Sequence, residues 1–555
     1  MKKQTKVFAT LSAAALLAVG VSAVSMAAGW DNSTGVWRYL DNNGEAVTDT
    51  WKSANGNWFY LDSDGVMATN QLIEDNNNNK TRYYYVDQYG AMVTNSWKAV
   101  AMDDTDSTDL NAEYWWYFFG SDGKAYTSED DLTTSEIKTI NGLKYAFDSE
   151  GHMLYGWISK DNVEQQDDDD EAWKTSEYYF NGWNDGHMQT GWIKLSVEDD
   201  GDTEDYWFWF KNDGKKQTKR KKINGSYYHF DGEDGHMITN WGTATQSAKD
   251  AATSSTNLQY LNGDGAERKN RWVWAVPDED SIEDALVDDY NDDEYRWWYF
   301  NNSGKLTANQ IKKINGKKYA FDQYGRMLAK FVVEDSAGNI HKGGAASDVT
   351  RAQVIAGDLD KYTVGAGDKV YWFSNDEAKD GAMKKGYQNL ELDDTTAQFY
   401  FNTTSGVGET KYNSKIKKYT INGLVLAPTN DDDSNYGAIK TSDGTQKGAP
   451  VDLLFGSKTV GNWMVNKAGS LVKNKAKLKD NNDEYYVVNN EGLVLAHCTS
   501  EDAYNDAITY TTTDNKEKKI SISSAMLKKT STADLNAAID AEIAKISGAV
   551  RKATF

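Results

Sequence analysis

The sequence predicts an all-β protein: a solenoid of β-hairpin repeats, about 20 residues per unit, with long acidic loop insertions and a short C-terminal helix. Three observations carry that expectation. A turn-like tetrad, in most copies of the form x-Asp/Asn-x-x-Gly, recurs, ending at Gly44, Gly65, Gly90, Gly123, Gly151, Gly186, Gly214, Gly235, Gly265, Gly304 and Gly325; Gly65 follows Gly44, and Gly325 follows Gly304, by 21 residues. A run of aromatic and apolar residues precedes nearly every tetrad, as in "NWFYLDSDG" and "YWWYFFGSDG". One phrase is written almost twice, "KTINGLKYAFDSEGHMLYGW" from Lys138 and "KKINGKKYAFDQYGRMLAKF" from Lys312. A lone hairpin is marginal in water, so repeated hairpins must stack on one another.

The elements follow in chain order. Residues 1–28 read as a signal peptide: Lys2, Lys3 and Lys6 precede an apolar run from Val7 to Val24, and the small residues around Ala27 and Ala28 offer a cleavage site. No later stretch is apolar enough to span a bilayer, so a secreted, cell-surface protein is expected. Residues 29–331 form the repeats, each read as an aromatic strand, a Gly turn, a short strand with Met, then Trp. Residues 332–498 read as degenerate repeats. The tail, 499–555, carries a helix expected over 532–551, with Leu535, Ile539, Ile543, Ile546 and Val550 on one stripe and Ser531 with Asp534 as a capping pair. That helix is expected to cap the solenoid, the other reading being that it pairs with a copy of itself.

Alternate residues of a strand share a face. Four and six residues before the aligned Gly lie apolar side chains such as Leu61 with Phe59 and Phe147 with Tyr145, which are read as core. Seven and five before it lie pairs such as Trp58 with Tyr60 and Trp297 with Tyr299, but Lys144 with Ala146 and Lys318 with Ala320 in the duplicated phrase. A position that exchanges Trp for Lys is not needed for the core, so that face is read as ligand-facing and the Lys/Ala units as spacers. A second packing layer is the alternative for those rings.

Composition excludes several classes. The 20 Trp and 33 Tyr rule out a disordered acidic chain, and a net charge of −24 argues against a nucleic-acid partner. Cys498 is the single cysteine, so neither disulfides nor a Cys-based metal site can hold the fold. No catalytic grouping and no cofactor motif is found. His152, His187 and His236 follow the turn Gly in a slot that Arg326 also fills, which makes it a turn position, and no metal ligands are assigned. Glu198–Asp205 is the best oxygen-rich candidate for Ca²⁺, without EF-hand spacing. The acidic inserts, Asp167–Asp170 and Asp278–Glu294 among them, are expected as solvated loops between hairpins.

The segments "GNWFYLDSDGVMATNQ", "RYYYVDQYGAMVTNSW" and "YYFNGWNDGHMQTGW" resemble the choline-binding, cell-wall-binding repeats of Gram-positive surface proteins, and "IKTINGLKYAFDSEGHMLYGW" is similar to the short repeats of clostridial toxins and glucan-binding proteins. The resemblance implies choline held between consecutive hairpins by rings from both units and a Met. Carried over by position, one cage falls at Trp51, Trp58, Tyr85 and Met92, and another at Trp30, Trp37, Tyr60 and Met67. Further cages fall at Trp97 with Trp116, Trp192 with Trp207, and Trp272 with Trp297 and Tyr299. The implied function is a non-enzymatic protein holding to choline-bearing teichoic acid or another cell-envelope glycan. The alternatives are a glucan-binding adhesin, since flat rings also stack on sugars, and a carrier of an enzyme domain within 332–460. Oligomeric state is left open.

Overall fold

The computed structural model describes residues 28–77, 80–102, 112–129, 131–133, 136–163, 171–243, 258–276, 295–374, 380–392, 395–429, 434–455 and 460–555. The signal peptide and the inserts at 167–170 and 278–294 lie outside the described residues. The chain divides into two compact units, one of Met1–Ser247 with Leu261–Glu267, the other of Ala248–Tyr260 with Arg268–Phe555. Among the described residues, most of the structure is β-strand in small sheets, with few helices.

The first unit is a succession of two-stranded antiparallel hairpins. Each pairs a strand that carries Trp or its counterpart with the aromatic strand that follows: Thr50–Ala54 with Asn57–Leu61, Ser96–Ala101 with Tyr114–Phe119, Gly191–Asp199 with Asp202–Phe210. The hairpin therefore closes across an Asn-Gly turn or an insert, not across the Asp-x-x-Gly tetrad as the sequence reading has it. Asn55 and Gly56, with φ of 51° and 84°, have the paired positive φ of a type I′ turn, whose twist matches that of the strands it joins. Inserts consequently extend hairpin tips instead of separating hairpins. "EDNNNNKT" is mostly strand, in Gln71–Asn77 and Lys80–Val86. Glu198–Asp205, the Ca²⁺ candidate, is a paired tip in which Glu198 accepts from the Thr203 hydroxyl and Asp205 pairs with Lys194.

The tetrad turns the chain back after the aromatic strand. Asp62 Oδ1 accepts from the N–H groups of Asp64 and Val66, and the N–H of Gly65 donates to the Asp62 carbonyl. The same Asx turn recurs at Asp87, Asp148 and Asp322. His152 and Arg326 fill one slot of it and both bond the turn aspartate, at 2.8 and 2.6 Å. The returning residue, two past the Gly, bridges the residue four before it (Leu61 to Met67, Phe147 to Met153). Its N–H then donates to a carbonyl of the preceding hairpin, seven residues before that hairpin's Gly. Met67 bonds Trp37, Met92 bonds Trp58 and Met153 bonds Trp116, at 2.7–2.8 Å. This one backbone bond ties each hairpin to the last.

The side chain of the returning residue lies across the next turn. A Cβ on Gly123 would stand 2.5 Å from Met92 Sδ, and Gly123 has φ +80°. Gly123→Ala is therefore expected to cost on the order of 1–3 kcal/mol, from left-handed strain plus displacement of Met92. Urea unfolding followed by near-UV circular dichroism measures it.

Core residues stand four before the Gly: Leu61, Val86, Phe119, Phe147, Phe210 and, in the second unit, Phe300 and Phe321 are fully buried. Beyond the repeats the second unit builds wider sheets. Phe331–Glu334 pairs with Ile340–Lys342 and Lys369–Trp372, and a five-stranded sheet runs from Gly386–Leu392 to Leu424–Val425. The helix Thr532–Ile543 is capped by Ser531, whose Oγ accepts from Asp534 N, and buries Leu535, Ile539 and Ile543 against Tyr485, Val487 and Leu495. It is shorter than the expected 532–551. Gly548 takes φ +71°, Val550–Arg551 is a strand edge paired with Thr509–Thr511, and Val550 is exposed. The stripe is spent within the chain, and a second helix, Glu501–Ile508, was not visible in the pattern.

Candidate functional site

Two consecutive hairpins bring four side chains together at their seam. The first hairpin gives the Trp of its leading strand and the ring seven before its Gly. The second gives the ring six before its Gly and the returning Met. In one such group Trp51, Trp58, Tyr84 and Met92 line a cleft of about 730 Å³, rimmed by Arg82, Asp122 and Lys124. The Trp51 and Tyr84 centroids are 5.0 Å apart at 59°.

The arrangement recurs with little variation. Trp97 meets Trp116 at 6.5 Å and 80°, and Tyr145 at 4.9 Å; Met153 is clustered with them. Trp192 meets Trp207 at 6.1 Å and 88°, and Tyr228, here seven before its Gly, at 4.9 Å, beside Met237. In the second unit Trp272 meets Trp297 at 6.2 Å and 85°, and Tyr319 at 4.8 Å, beside Met327. At the N-terminal seam Trp30 meets Phe59 at 5.3 Å, and Met67 is bonded through its backbone to Trp37. The repetition has a backbone cause. The N–H of the Met donates to the carbonyl of the very residue whose ring forms the opposite wall, as with Met92 and Trp58 or Met237 and Trp207.

These cages gather Trp30, Trp51, Trp58, Met92, Trp97, Trp116, Trp192, Trp207, Trp272 and Trp297 as the sequence reading groups them, join Trp37 and Met67 through a backbone bond, and correct three members. Tyr84 stands in the place given to Tyr85, and Phe59 in that given to Tyr60. Tyr85 is 8% exposed and its hydroxyl donates to Asn70. Tyr60 lies across the strand pair from Trp51, its ring 5.2 Å away, and not with Trp30. Tyr299 likewise faces Trp272 across its own hairpin, 5% exposed, with its hydroxyl bonded to Asn270. The residue five before the Gly thus packs on the leading strand of its own hairpin, Tyr85 also reaching Phe119 of the next, and the residue six before it meets the preceding hairpin.

The duplicated phrase is corrected too. Its Lys/Ala units are not spacers: Tyr145 with Met153, and Tyr319 with Met327, are halves of cages. The signal that could have found them is the Tyr kept in both Tyr-Ala-Phe copies, together with the Gly-x-Met that follows.

Chemically, each cage is a set of electron-rich faces, and at the Trp51 cleft the charged groups of Arg82, Asp122 and Lys124 stand at the rim. Burial pushes the phenols of Tyr84, Tyr145 and Tyr319 above their ordinary range, so they stay neutral. Such rings attract a cation that brings no hydrogen-bond demand, each worth about 0.5–2 kcal/mol. Trp58 and Trp207 are 47% and 42% exposed, which leaves the outer wall open to solvent. Among the described residues no cluster of His, Cys, Asp and Glu is arranged to hold a metal ion.

The comparisons with known proteins bear on this seam. Residues 47–97, which contain the whole Trp51–Trp58–Tyr84–Met92 group, match the model of the choline-binding repeat. The glucosyltransferase-S of Streptococcus mutans serotype c is 25% identical over 279 residues, 50% of this chain, and the chain spans 15% of that protein's length. Among solved structures, the autolysin LytC of Streptococcus pneumoniae aligns with 55% of this chain and 54% of its own, at 21% identity and TM-score 0.30. CbpJ of the same species aligns with 55% of this chain and 95% of its own, at 19% identity and TM-score 0.33. Residues 47–97 carry a choline-binding-type repeat.

Proposed function

We propose that this is a secreted, non-enzymatic surface protein whose aromatic cages hold choline groups displayed on a cell-envelope polymer such as teichoic acid, with the hairpins of each unit stacked as a solenoid. The observation that carries the reading is the cleft of Trp51, Trp58, Tyr84 and Met92, which lies inside the segment matching the choline-binding repeat. Three ring faces and a thioether suit a trimethylammonium, which is bulky, permanently charged and unable to donate a hydrogen bond. Several weak cages along one chain reach a polymer with high avidity, because each further contact becomes intramolecular.

The test is thermal. Free choline at millimolar concentration is expected to raise the melting temperature, since a ligand that binds only the native state stabilises it. Retention of the full chain on choline-substituted resin, released by free choline, checks the same point.

A glucan-binding reading is supported by the match to a glucosyltransferase and by an exposed pair of rings, Trp274 stacked at 22° on Tyr295. It predicts a melting shift with α-glucan oligosaccharides and none with choline. The third reading, an enzyme domain within 332–460, predicts a catalytic turnover that survives loss of the cages.

A further inference from the structure

One seam of the first unit keeps the leading Trp and the receiving ring of the cages and replaces their other two members. Between the hairpins that end at Gly186 and Gly214, the leading Trp is present as Trp157 and the receiving ring as Phe208, 5.2 Å apart. The returning residue is Lys216 where other cages have Met. The wall opposite is Glu177, whose carbonyl accepts from Lys216 N at 2.6 Å, where other cages have Trp.

The Lys216 ammonium stands 5.3 Å from the Trp157 centroid and 5.9 Å from that of Phe208. It donates to the Trp173 carbonyl and, at 3.3 Å, to that of Lys174. Both belong to or flank the short helix Ala172–Thr175, which ends the acidic insert. Trp173 itself is 2% exposed, packs on Phe208 and bonds the Glu198 carbonyl through its indole N–H. Burial pushes the Lys216 ammonium down to about 8, so it is still mostly charged at neutral pH.

We propose that this seam is a cage closed from within: the Lys216 ammonium occupies the place that the other cages leave for an external quaternary ammonium, and the Trp173 helix seals it. The proposal rests on the choline reading of the open cages. It assigns Lys216, two past the turn Gly, as the residue that closes this seam. A second seam is also filled by a cation of the chain's own, supplied there from the leading position. There Arg220 replaces the leading Trp, lies 3.7 Å over Tyr227 and pairs at 2.8 Å with Glu267, which stands at the returning position.

The test is the number of cholines bound per chain, by equilibrium dialysis at saturation, for the full-length wild type, Lys216→Met and Lys216→Arg. One more choline than wild type is expected for Lys216→Met, and no change for Lys216→Arg, which keeps a cation. A folded Lys216→Met protein with the wild-type number overturns the proposal. If wild type takes up no choline, the reading of the open cages fails and the proposal falls with it. Should Lys216→Met not fold, nitrogen-detected NMR of the lysine ammonium groups in wild type decides. A Lys216 signal shifted upfield by the rings supports the closed cage, and one at the solvent position overturns it.

Discussion

Phe147→Ala is expected to destabilise the first unit by about 3–5 kcal/mol, the usual cost of emptying a fully buried Phe site. Phe147 has no exposed surface and bridges the returning Met153. It also packs 5.9 Å from Trp97, the central ring of its cage. The cavity would therefore loosen the hairpin's own return and the floor of the neighbouring site together. Chemical denaturation followed by near-UV circular dichroism reads the first effect. If the loss were below about 1 kcal/mol, the side chain would not be the core that its burial implies.

The second large effect is on binding. Trp58→Ala is expected to weaken choline at its own cage by roughly 5- to 30-fold, the equivalent of about 1–2 kcal/mol of lost cation–π attraction. Stability should change far less, because nearly half of Trp58 already faces solvent and its backbone carbonyl still accepts from Met92. Titration calorimetry gives the affinity, and the denaturation experiment above gives the stability. Equal destabilisation by Trp58→Ala and Phe147→Ala would mean that the outer wall is core, and the cages would lose their open side.

The turn glycines, the buried residue four before most of them and the Trp positions that line the seams were legible because they repeat at fixed offsets within one hairpin. Tyr84, Tyr145 and Tyr319 were not. Alternation along a strand assigns residues six and seven before the Gly to opposite faces, and that is correct for a single strand. A seam joins one face of the first hairpin to the other face of the second, so Trp116 and Tyr145 meet although their offsets differ in parity. No pattern internal to one hairpin carries that information. It enters through the hydrogen bond between hairpins, from Met153 N to Trp116 O. The closing of the Trp157 seam was invisible for a similar reason, since Lys216 lies 43 residues from Trp173, in a different segment from Trp173 and Glu177. The helix overran to 551 because its stripe continues past Gly548, where the backbone turns left-handed.

Because every site is split across a seam, this chain has a grammar of complementary halves. The hairpins ending at Gly65 and Gly123 contribute a Trp pair forward, and those ending at Gly90 and Gly151 offer a ring and a Met backward. Duplicating or excising one hairpin therefore re-pairs the halves on either side. Excising the two hairpins between Gly65 and Gly123 would set the Trp51–Trp58 half directly against the Tyr145–Met153 half and restore a cage of wild-type composition. Unequal recombination between copies can thus change how many sites the protein has, and how far apart they lie, while each site that survives stays intact.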